Sequence, residues 1–262
     1  MTISRVALVS GAAGGIGSAV VAGLVEDGFR VVAVDACAQM PGAASQPGDR
    51  DALLELWMRG GGNVETVIAD VRDPAALARV VAAIEQVHGR LDVVVAAAGA
   101  IAGGHPLWET PDEVLDVLLD VNLKGAWHLA AATLPLMLRQ PSPRSGRFIV
   151  IASAAGHRGL RHLAAYVASK HAVVGLVRGL AADLRGTGIT ATAVSPGSTR
   201  TPMLEATATL YGLDASEPLA ERHLVDRLLE PSEIADTVRW LSSPRSGAVT
   251  GSVVHADGGF TA

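Results

Sequence analysis

Residues 6–17, Val-Ala-Leu-Val-Ser-Gly-Ala-Ala-Gly-Gly-Ile-Gly, decide the fold. A short apolar string runs into a glycine-rich turn, and a helix follows in which Ile16, Val20 and Leu24 share one face. Glycines at 11, 15 and 17 permit a tight turn and let a pyrophosphate approach the backbone. The helix N-terminus at Gly15, Ile16 and Gly17 then offers free N–H donors and a partial positive charge to that anion. A glycine turn alone would be weak, since such turns also occur without any ligand. The next apolar run strengthens it, because it closes on Asp35 at the distance expected for a ribose-binding carboxylate. That carboxylate would accept both hydroxyls of an adenosine ribose and repel a 2′-phosphate. No Lys or Arg lies in the turn or beside Asp35 to offset the repulsion, so the expected cofactor is NAD rather than NADP.

The same rhythm continues outward. Compact apolar strings at 6–9, 31–34, 64–69, 93–96, 148–152, 189–194 and 253–255 lack polar alternation and read as strands buried on both faces. Amphipathic helices lie between them. One has Leu77, Val81 and Ile84 on one side, with Asp73 as N-cap and Pro74 at its first position. Thr110-Pro111-Asp112-Glu113 has capping-box spacing. Strand–helix alternation implies an α/β fold, a three-layer, doubly wound parallel sheet of Rossmann-like type. No linker or repeat divides residues 1–262, which read as a single dinucleotide-binding and catalytic domain.

Composition narrows the function. The 262 residues are 49% hydrophobic and 18% charged, with 21 Lys and Arg against 26 Asp and Glu. A net charge of −5 without basic runs argues against a nucleic-acid groove. Cys37 is the single cysteine, which excludes an internal disulfide and a Cys-based zinc cluster. The remaining donors show no metal-ligand spacing, so no metal is expected. No apolar run reaches the roughly 18–20 residues that span a bilayer. Residues 1–10 lack the apolar region of a signal peptide, so the expected location is cytoplasmic, with no membrane partner.

The chemistry is carried by Ser153, at the end of the fifth apolar string, and by Tyr166 and Lys170 in Tyr-Val-Ala-Ser-Lys. Four-residue spacing puts Tyr and Lys on one helix face. A tyrosine titrates near about pH 10, and a neighbouring ammonium, helped by an oxidised nicotinamide, is expected to lower that value. Tyr166 would then exchange a proton with an alcohol or carbonyl oxygen that Ser153 holds in place. A Tyr-x-x-x-Lys pair on a helix surface usually means nothing; its coupling to Ser153 and the glycine turn gives it weight.

With these residues in view, the whole chain resembles the short-chain dehydrogenase/reductase family. The resemblance implies that Gly11, Gly15, Ile16 and Gly17 form the cofactor turn, with Ser10 where Thr is usual. It implies that Asp70 and Val71 contact the adenine, and that Ala98 and Gly99 pack beside the cofactor ribose. It adds Asn122 to Ser153, Tyr166 and Lys170 as a fourth catalytic residue, holding a water that links the lysine to solvent. Tyr166 and Lys170 also touch the cofactor, and Pro196, Thr199 and Thr201 face the nicotinamide. One departure stands out: Ala96-Ala97-Ala98-Gly99 replaces the family's Asn-Asn-Ala-Gly, which puts local hydrogen bonding in doubt. The family layout also places His105, Trp108, His157, Arg158 and His162 along the substrate cleft, where one histidine could touch substrate. Apolar Leu129, Leu136, Val173, Val174 and Leu180 exceed what one sheet-facing stripe needs. Together with the family's four-helix bundle they imply a homotetramer, with a dimer as runner-up.

Two segments interrupt the rhythm. Residues 36–48, ACAQMPGAASQPG, are long for a strand–helix connection, which usually takes two to about six residues. This insertion resembles that of mycofactocin-associated dehydrogenases, which implies a tightly retained NAD reoxidised in place by a redox carrier; a plain surface insertion is the alternative. Residues 199–230 carry Met203, Leu204, Leu210, Tyr211 and Leu213 and read as a substrate lid. The expected activity is that of an NAD-dependent alcohol dehydrogenase or carbonyl reductase acting on a small alcohol or ketone. The competing classes are a non-catalytic NAD-binding regulator, which would lack the Tyr or Lys, and a sugar-nucleotide epimerase, which would need a larger C-terminal part.

Overall fold

Each of the seven apolar strings forms a strand in the computed structural model, which describes residues 4–45 and 48–262. They are β1 (Val6–Ser10), β2 (Arg30–Asp35), β3 (Val64–Ile68), β4 (Val93–Ala96), β5 (Arg147–Ile151), β6 (Thr190–Pro196) and β7 (Val253–Ala256). All pairings are parallel, in the order β3-β2-β1-β4-β5-β6-β7. The four central strands and β6 are buried throughout or nearly so, as continuous apolar runs require. The edges depart from that expectation. Ile68 of β3 is half exposed and β7 is only partly covered, because an edge strand has a neighbour on one side alone.

Helices α1 (Gly15–Glu26), α2 (Arg50–Arg59) and α8 (Pro231–Ser242) cover one face through Val20, Leu24, Leu53, Ile234 and Val238. Helices α3 (Pro74–His88), α5 (Gly125–Leu138) and α6 (Ala164–Asp183) cover the other through Leu77, Ile84, Leu129 and Val177. Asp73 caps α3 as expected, accepting hydrogen bonds from the Ala75 and Ala76 amides, with Pro74 following. The box expected at Thr110 does not form. Its hydroxyl turns back to the Pro106 carbonyl at 3.0 Å, and α4 (Asp112–Leu118) starts from Pro111 without a side-chain cap. A capping box does occur, on α8, between Glu230 and Glu233.

Leu129, Leu136, Val173 and Val174 need no second subunit to bury them: all four lie inside the subunit's own core, with Leu180 packed against it. The stripe on α5 and α6 is wide because each helix meets the sheet and also a neighbouring helix. Among the described residues no helix is long and apolar enough to cross a membrane.

Strand order reverses between β1 and β4, which leaves a crevice at their C-terminal ends. Both irregular segments close over that crevice. The insertion follows β2 directly, while the expected lid contains α7 (Pro202–Leu210) and a short 3₁₀ turn (Glu217–Arg222).

Candidate active site

One continuous cavity occupies the crevice, and residues from across the sequence meet in it. Its floor at one end is the glycine turn. A Cβ on Gly11 would stand 2.5 Å from the Ala98 amide nitrogen, and one on Gly15 would stand 2.5 Å from Thr201 Cγ2. These glycines therefore let the turn approach the β4 end and the base of the lid together. Helix α1 follows Gly14 as its N-cap, with no side-chain cap and no acidic residue in its first turn, and its leading residues Gly15, Ile16 and Gly17 line the cavity. Asp35 sits at the end of β2. Its Oδ2 accepts from the Ala13 amide at 3.1 Å and its Oδ1 from the Cys37 amide at 2.9 Å. The carboxylate is thus held in place by backbone, and no basic side chain pairs with it among the described residues. Uncapped donors, a cradle that admits no side chain and a fixed free carboxylate fit a dinucleotide with an unphosphorylated ribose.

Asp70, Val71, Ala98, Gly99, Pro196, Thr199 and Thr201 also line the cavity. Asp70 is forked by Arg72, whose Nη2 lies 2.6 Å from Oδ2. Burial pushes the Asp70 carboxyl up, but the Arg72 hydrogen bonds and charge outweigh it and hold the group below its ordinary value. The Ala96–Gly99 departure is accommodated by backbone: the Ala97 amide donates to the Ser10 carbonyl at 3.2 Å, and the Ala98 amide reaches Ser10 Oγ at 3.5 Å.

At the other end stand Ser153, Tyr166, Lys170 and Asn122. Tyr166 and Lys170 are buried one turn apart on α6, with Lys170 Nζ 5.7 Å from the tyrosine ring centroid. Nζ donates to the Ile151 carbonyl at 3.1 Å, and burial pulls the lysine down to about 8. Ser153 accepts from the Ala155 amide at 3.1 Å, and its own hydroxyl is directed to Tyr166. The expected lowering of Tyr166 is not supplied by the protein's own groups. Burial pushes its hydroxyl up, and the Ser153 hydrogen bond opposes this only in part.

Asn122 lies in a π-helical turn, Leu119–Lys124, which separates α4 from α5. Its Oδ1 accepts from the Ala100 amide at 2.8 Å, and its Nδ2 donates to the Ala100 carbonyl at 3.1 Å and to Ser169 Oγ at 3.0 Å. The amide therefore clamps the chain just beyond β4, and only a lone pair of Oδ1 is left to hold a water. Oδ1 and Lys170 Nζ would lie 3.4 and 3.6 Å from a Cβ on Gly99, so both surround the same point of the backbone.

Neither His105, His157, Arg158 nor His162 lines the cavity; Leu160 and Leu163 of that stretch do. His157 instead packs its ring 4.6 Å from that of His255, and Trp108 is exposed. Arg158 donates to the Phe260 carbonyl at 2.6 Å and draws the Phe260 side chain in as part of the cavity wall. Sequence reasoning did not find Phe260, Ser45 or His223. His223 is buried at the lid's neck, accepting at Nε2 from the Ser198 amide at 2.9 Å while Nδ1 faces the Arg227 carbonyl at 2.6 Å.

The family model described as enoyl-(acyl carrier protein) reductase matches residues 11–261. The chain belongs to the short-chain dehydrogenase/reductase family. It is similar to a Mycobacterium tuberculosis protein named as an uncharacterized NAD-dependent oxidoreductase, at 36% identity over 97% of this chain and 95% of the relative. A 3beta-hydroxysteroid dehydrogenase of Mediterraneibacter gnavus is 32% identical over 98% of this chain and 95% of its own. Among solved structures, carveol dehydrogenase from Mycobacterium avium in complex with NAD superposes with a TM-score of 0.92 at 30% identity, covering 99% of this chain and 98% of that one.

Proposed function

We propose that this chain is an NAD-dependent alcohol dehydrogenase or carbonyl reductase. The observation that carries the reading is the meeting of Asp35, the uncapped α1 N-terminus and the Ser153–Tyr166–Lys170 group around one cavity. Gly11, Gly15, Ile16 and Gly17 would hold the pyrophosphate, Asp35 the adenosine ribose, and Asp70 and Val71 the adenine. Ala98 and Gly99 would lie beside the ribose, with Pro196, Thr199 and Thr201 toward the nicotinamide. NAD, when bound, supplies the hydride acceptor or donor.

The chain's own residues manage the proton. Ser153 donates its hydroxyl hydrogen to the substrate oxygen in place of Tyr166 and fixes its position. Tyr166 takes the proton from an alcohol oxygen, or returns one to a carbonyl. Lys170 provides positive charge below the ring, and Asn122 acts as a positioning residue by clamping Ala100 beside Gly99.

The insertion supports the retained-cofactor part of the reading. Met40, Ser45 and Gly48 line the cavity, and a Cβ on Gly48 would stand 2.7 Å from Asp35 Oδ1. The Ala44 amide donates to the Ile101 carbonyl at 2.8 Å, and the Ile101 amide donates to Ser45 Oγ at 3.3 Å. A cover clipped in this way would keep NAD in place between turnovers. A redox carrier of the mycofactocin kind would then restore it. We place this activity in the cytoplasm.

We also propose a homotetramer, now on different grounds: Trp127 and Leu138 of α5 are exposed apolar groups on a helix already packed on its sheet side. A monomer mass in solution scattering at micromolar concentration would rule this out.

The experiment for the function is mass spectrometry of natively purified protein, followed by an alcohol screen with an artificial electron acceptor. Bound NAD with turnover of an alcohol is expected. Bound NAD without turnover of any alcohol, or reduction of any ketone, would return the chain to a binding role.

A further inference from the structure

The cavity has two chemically different ends. Of its lining side chains among the described residues, Asp35, Asp70 and Lys170 carry charge and no other does. The two carboxylates belong to the adenosine end, and Lys170 is committed to the Ile151 carbonyl beneath Tyr166. Beyond Ser153 and Tyr166 the wall consists of Leu160, Leu163, Met203, Leu204, Thr207 and Phe260. Thr207 is the one polar group among these, and its hydroxyl donates to the Met203 carbonyl at 2.8 Å within α7.

The cationic and imidazole groups nearest this wall are occupied elsewhere. The Arg222 guanidinium lies over the rings of Tyr211 and Phe260, at 5.5 and 5.9 Å. Arg158 is spent on the Phe260 carbonyl, and Arg200 pairs with Glu217 and Glu230 on the outer side of the lid. His223 faces the Ser198 amide and the Arg227 carbonyl. Among the described residues no cation other than Lys170 lines the cavity, and Arg161 and Arg222, which flank the wall, lie exposed at the surface.

From this arrangement we infer that the reactive end takes a neutral alcohol or ketone on an apolar hydrocarbon frame, and rejects substrates with an ionised group near the reacting carbon. The inference rests on the oxidoreductase reading and narrows it to a substrate class. The physical reason is desolvation. An apolar substrate exchanges water for Leu, Met and Phe surface, whereas a carboxylate or phosphate would lose its hydration and find no partner. A hydroxyl at the reacting carbon is the only polar group the wall provides for, through Ser153 and Tyr166. Phe260 and Met203 are the specificity-determining residues this implies, the first held by the C-terminal turn and the second carried on the lid.

A matched pair of substrates tests it: cyclohexanol and 3-hydroxycyclohexanecarboxylate, assayed with the protein as isolated and an artificial electron acceptor. Binding of cyclohexanone and of the carboxylate is followed in parallel by saturation-transfer NMR. The expected kcat/KM for cyclohexanol is about 100-fold or more above that of the carboxylate, in line with the cost of an unpaired buried charge. Thr207→Lys puts a cation in the wall and should narrow the ratio about tenfold, while Thr207→Met leaves it unchanged. Equal or better turnover of the carboxylate by the wild type overturns the substrate class and leaves the oxidoreductase reading standing. So does a failure of cyclohexanone to bind while the carboxylate is turned over. If cyclohexanone binds, the carboxylate does not, and neither alcohol reacts, the substrate class stands and the oxidoreductase reading falls.

Discussion

The two segments that cover the cavity are built in opposite ways. The described residues of the insertion at 36–48 join clusters centred elsewhere. Met40 and Ala43 rest on the apolar cluster around Ile101 and Val117, the Cys37 amide is tied to Asp35, and Ala44 and Ser45 are both tied to Ile101. The segment at 199–230 encloses a separate cluster of Leu204, Ala208, Leu219 and Leu228. Its neck is closed by backbone pairing: the Arg200 amide donates to the Leu229 carbonyl at 2.8 Å, and the Leu229 amide to the Ser198 carbonyl at 3.0 Å. The Arg200 pairs with Glu217 and Glu230 are exposed and add little, about 0–1 kcal/mol each. A clip and a folded flap open differently. On the proposed reading, the clip would open by losing a few local hydrogen bonds and the flap would move as a unit about its neck, so that the adenosine end would be guarded by a local barrier and the reactive end by a larger cooperative one.

The largest effect is expected at the reactive end. Tyr166→Phe removes the proton-transferring oxygen and keeps the ring, so turnover should fall by about 10²–10⁴-fold with NAD content unchanged. Because burial pushes Tyr166 up, its proton-accepting form is scarce near neutrality. Alcohol oxidation should accordingly accelerate as pH rises from neutral, with the gain curbed above about 8 where Lys170 loses its charge, and carbonyl reduction should not accelerate. A wild-type turnover retained by the phenylalanine variant, or a flat pH profile for oxidation, would break the assignment of Tyr166.

At the adenosine end the effect is smaller and is read in binding rather than rate. Asp35→Ala removes a charged acceptor and the repulsion of a 2′-phosphate together. NAD affinity should fall by about 10–100-fold, the worth of a charged hydrogen bond, while discrimination against NADP relaxes. Calorimetry with both cofactors measures this. A wild type that already prefers NADP would show that the backbone-held carboxylate does not set the choice.

Sequence reasoning reached the sheet because it depends on local pattern: seven short, mainly apolar strings are visible in the chain, and seven strands form. It reached Asp35, Ser153, Tyr166 and Lys170 because each occupies a strand end or a fixed helical spacing. It misjudged β3 although Glu65 and Thr66 interrupt that string, and Glu65 is exposed and Thr66 half-buried, as the edge position leaves them. Thr110 failed as a cap for a related reason, since Pro106, four residues upstream, offered its hydroxyl a competing acceptor. Ser45, His223 and Phe260 had no legible signal. Ser45 is brought to Ile101 across 56 positions, His223 to Ser198 across 25, and Arg158 to Phe260 across 102. Such contacts arise from the crossing of the two covers and the C-terminal turn, and no spacing rule encodes them. The family layout placed the stretch after Ser153 along the cleft, and it is Leu160 and Leu163 of that stretch, not the histidines, that line it.

The smallest effect isolates the clip itself. Ser45 is buried, and its Oγ accepts the Ile101 amide while Asn122 holds Ala100 next door. The tip of the insertion is a turn in which the Ala43 amide donates to the Met40 carbonyl at 3.0 Å across Pro41 and Gly42. Gly42 has a φ of 86°, as a type II turn with proline before it requires. Pro41 therefore limits the open chain and lessens the entropy lost on closing; Pro47, to which the same reasoning applies, lies outside the described residues. Ser45→Ala removes one hydrogen bond worth about 1 kcal/mol, so exchange of bound NAD for labelled NAD should speed up about fivefold. Turnover of an alcohol at saturating artificial acceptor should stay unchanged, because Ser153 and Tyr166 are untouched. Replacing 36–48 by a short turn should accelerate exchange further and raise steady-state turnover with free NAD. If the exchange rate ignores both changes, the barrier to cofactor release lies in the flap at 199–230, and the two ends are guarded by one gate rather than two.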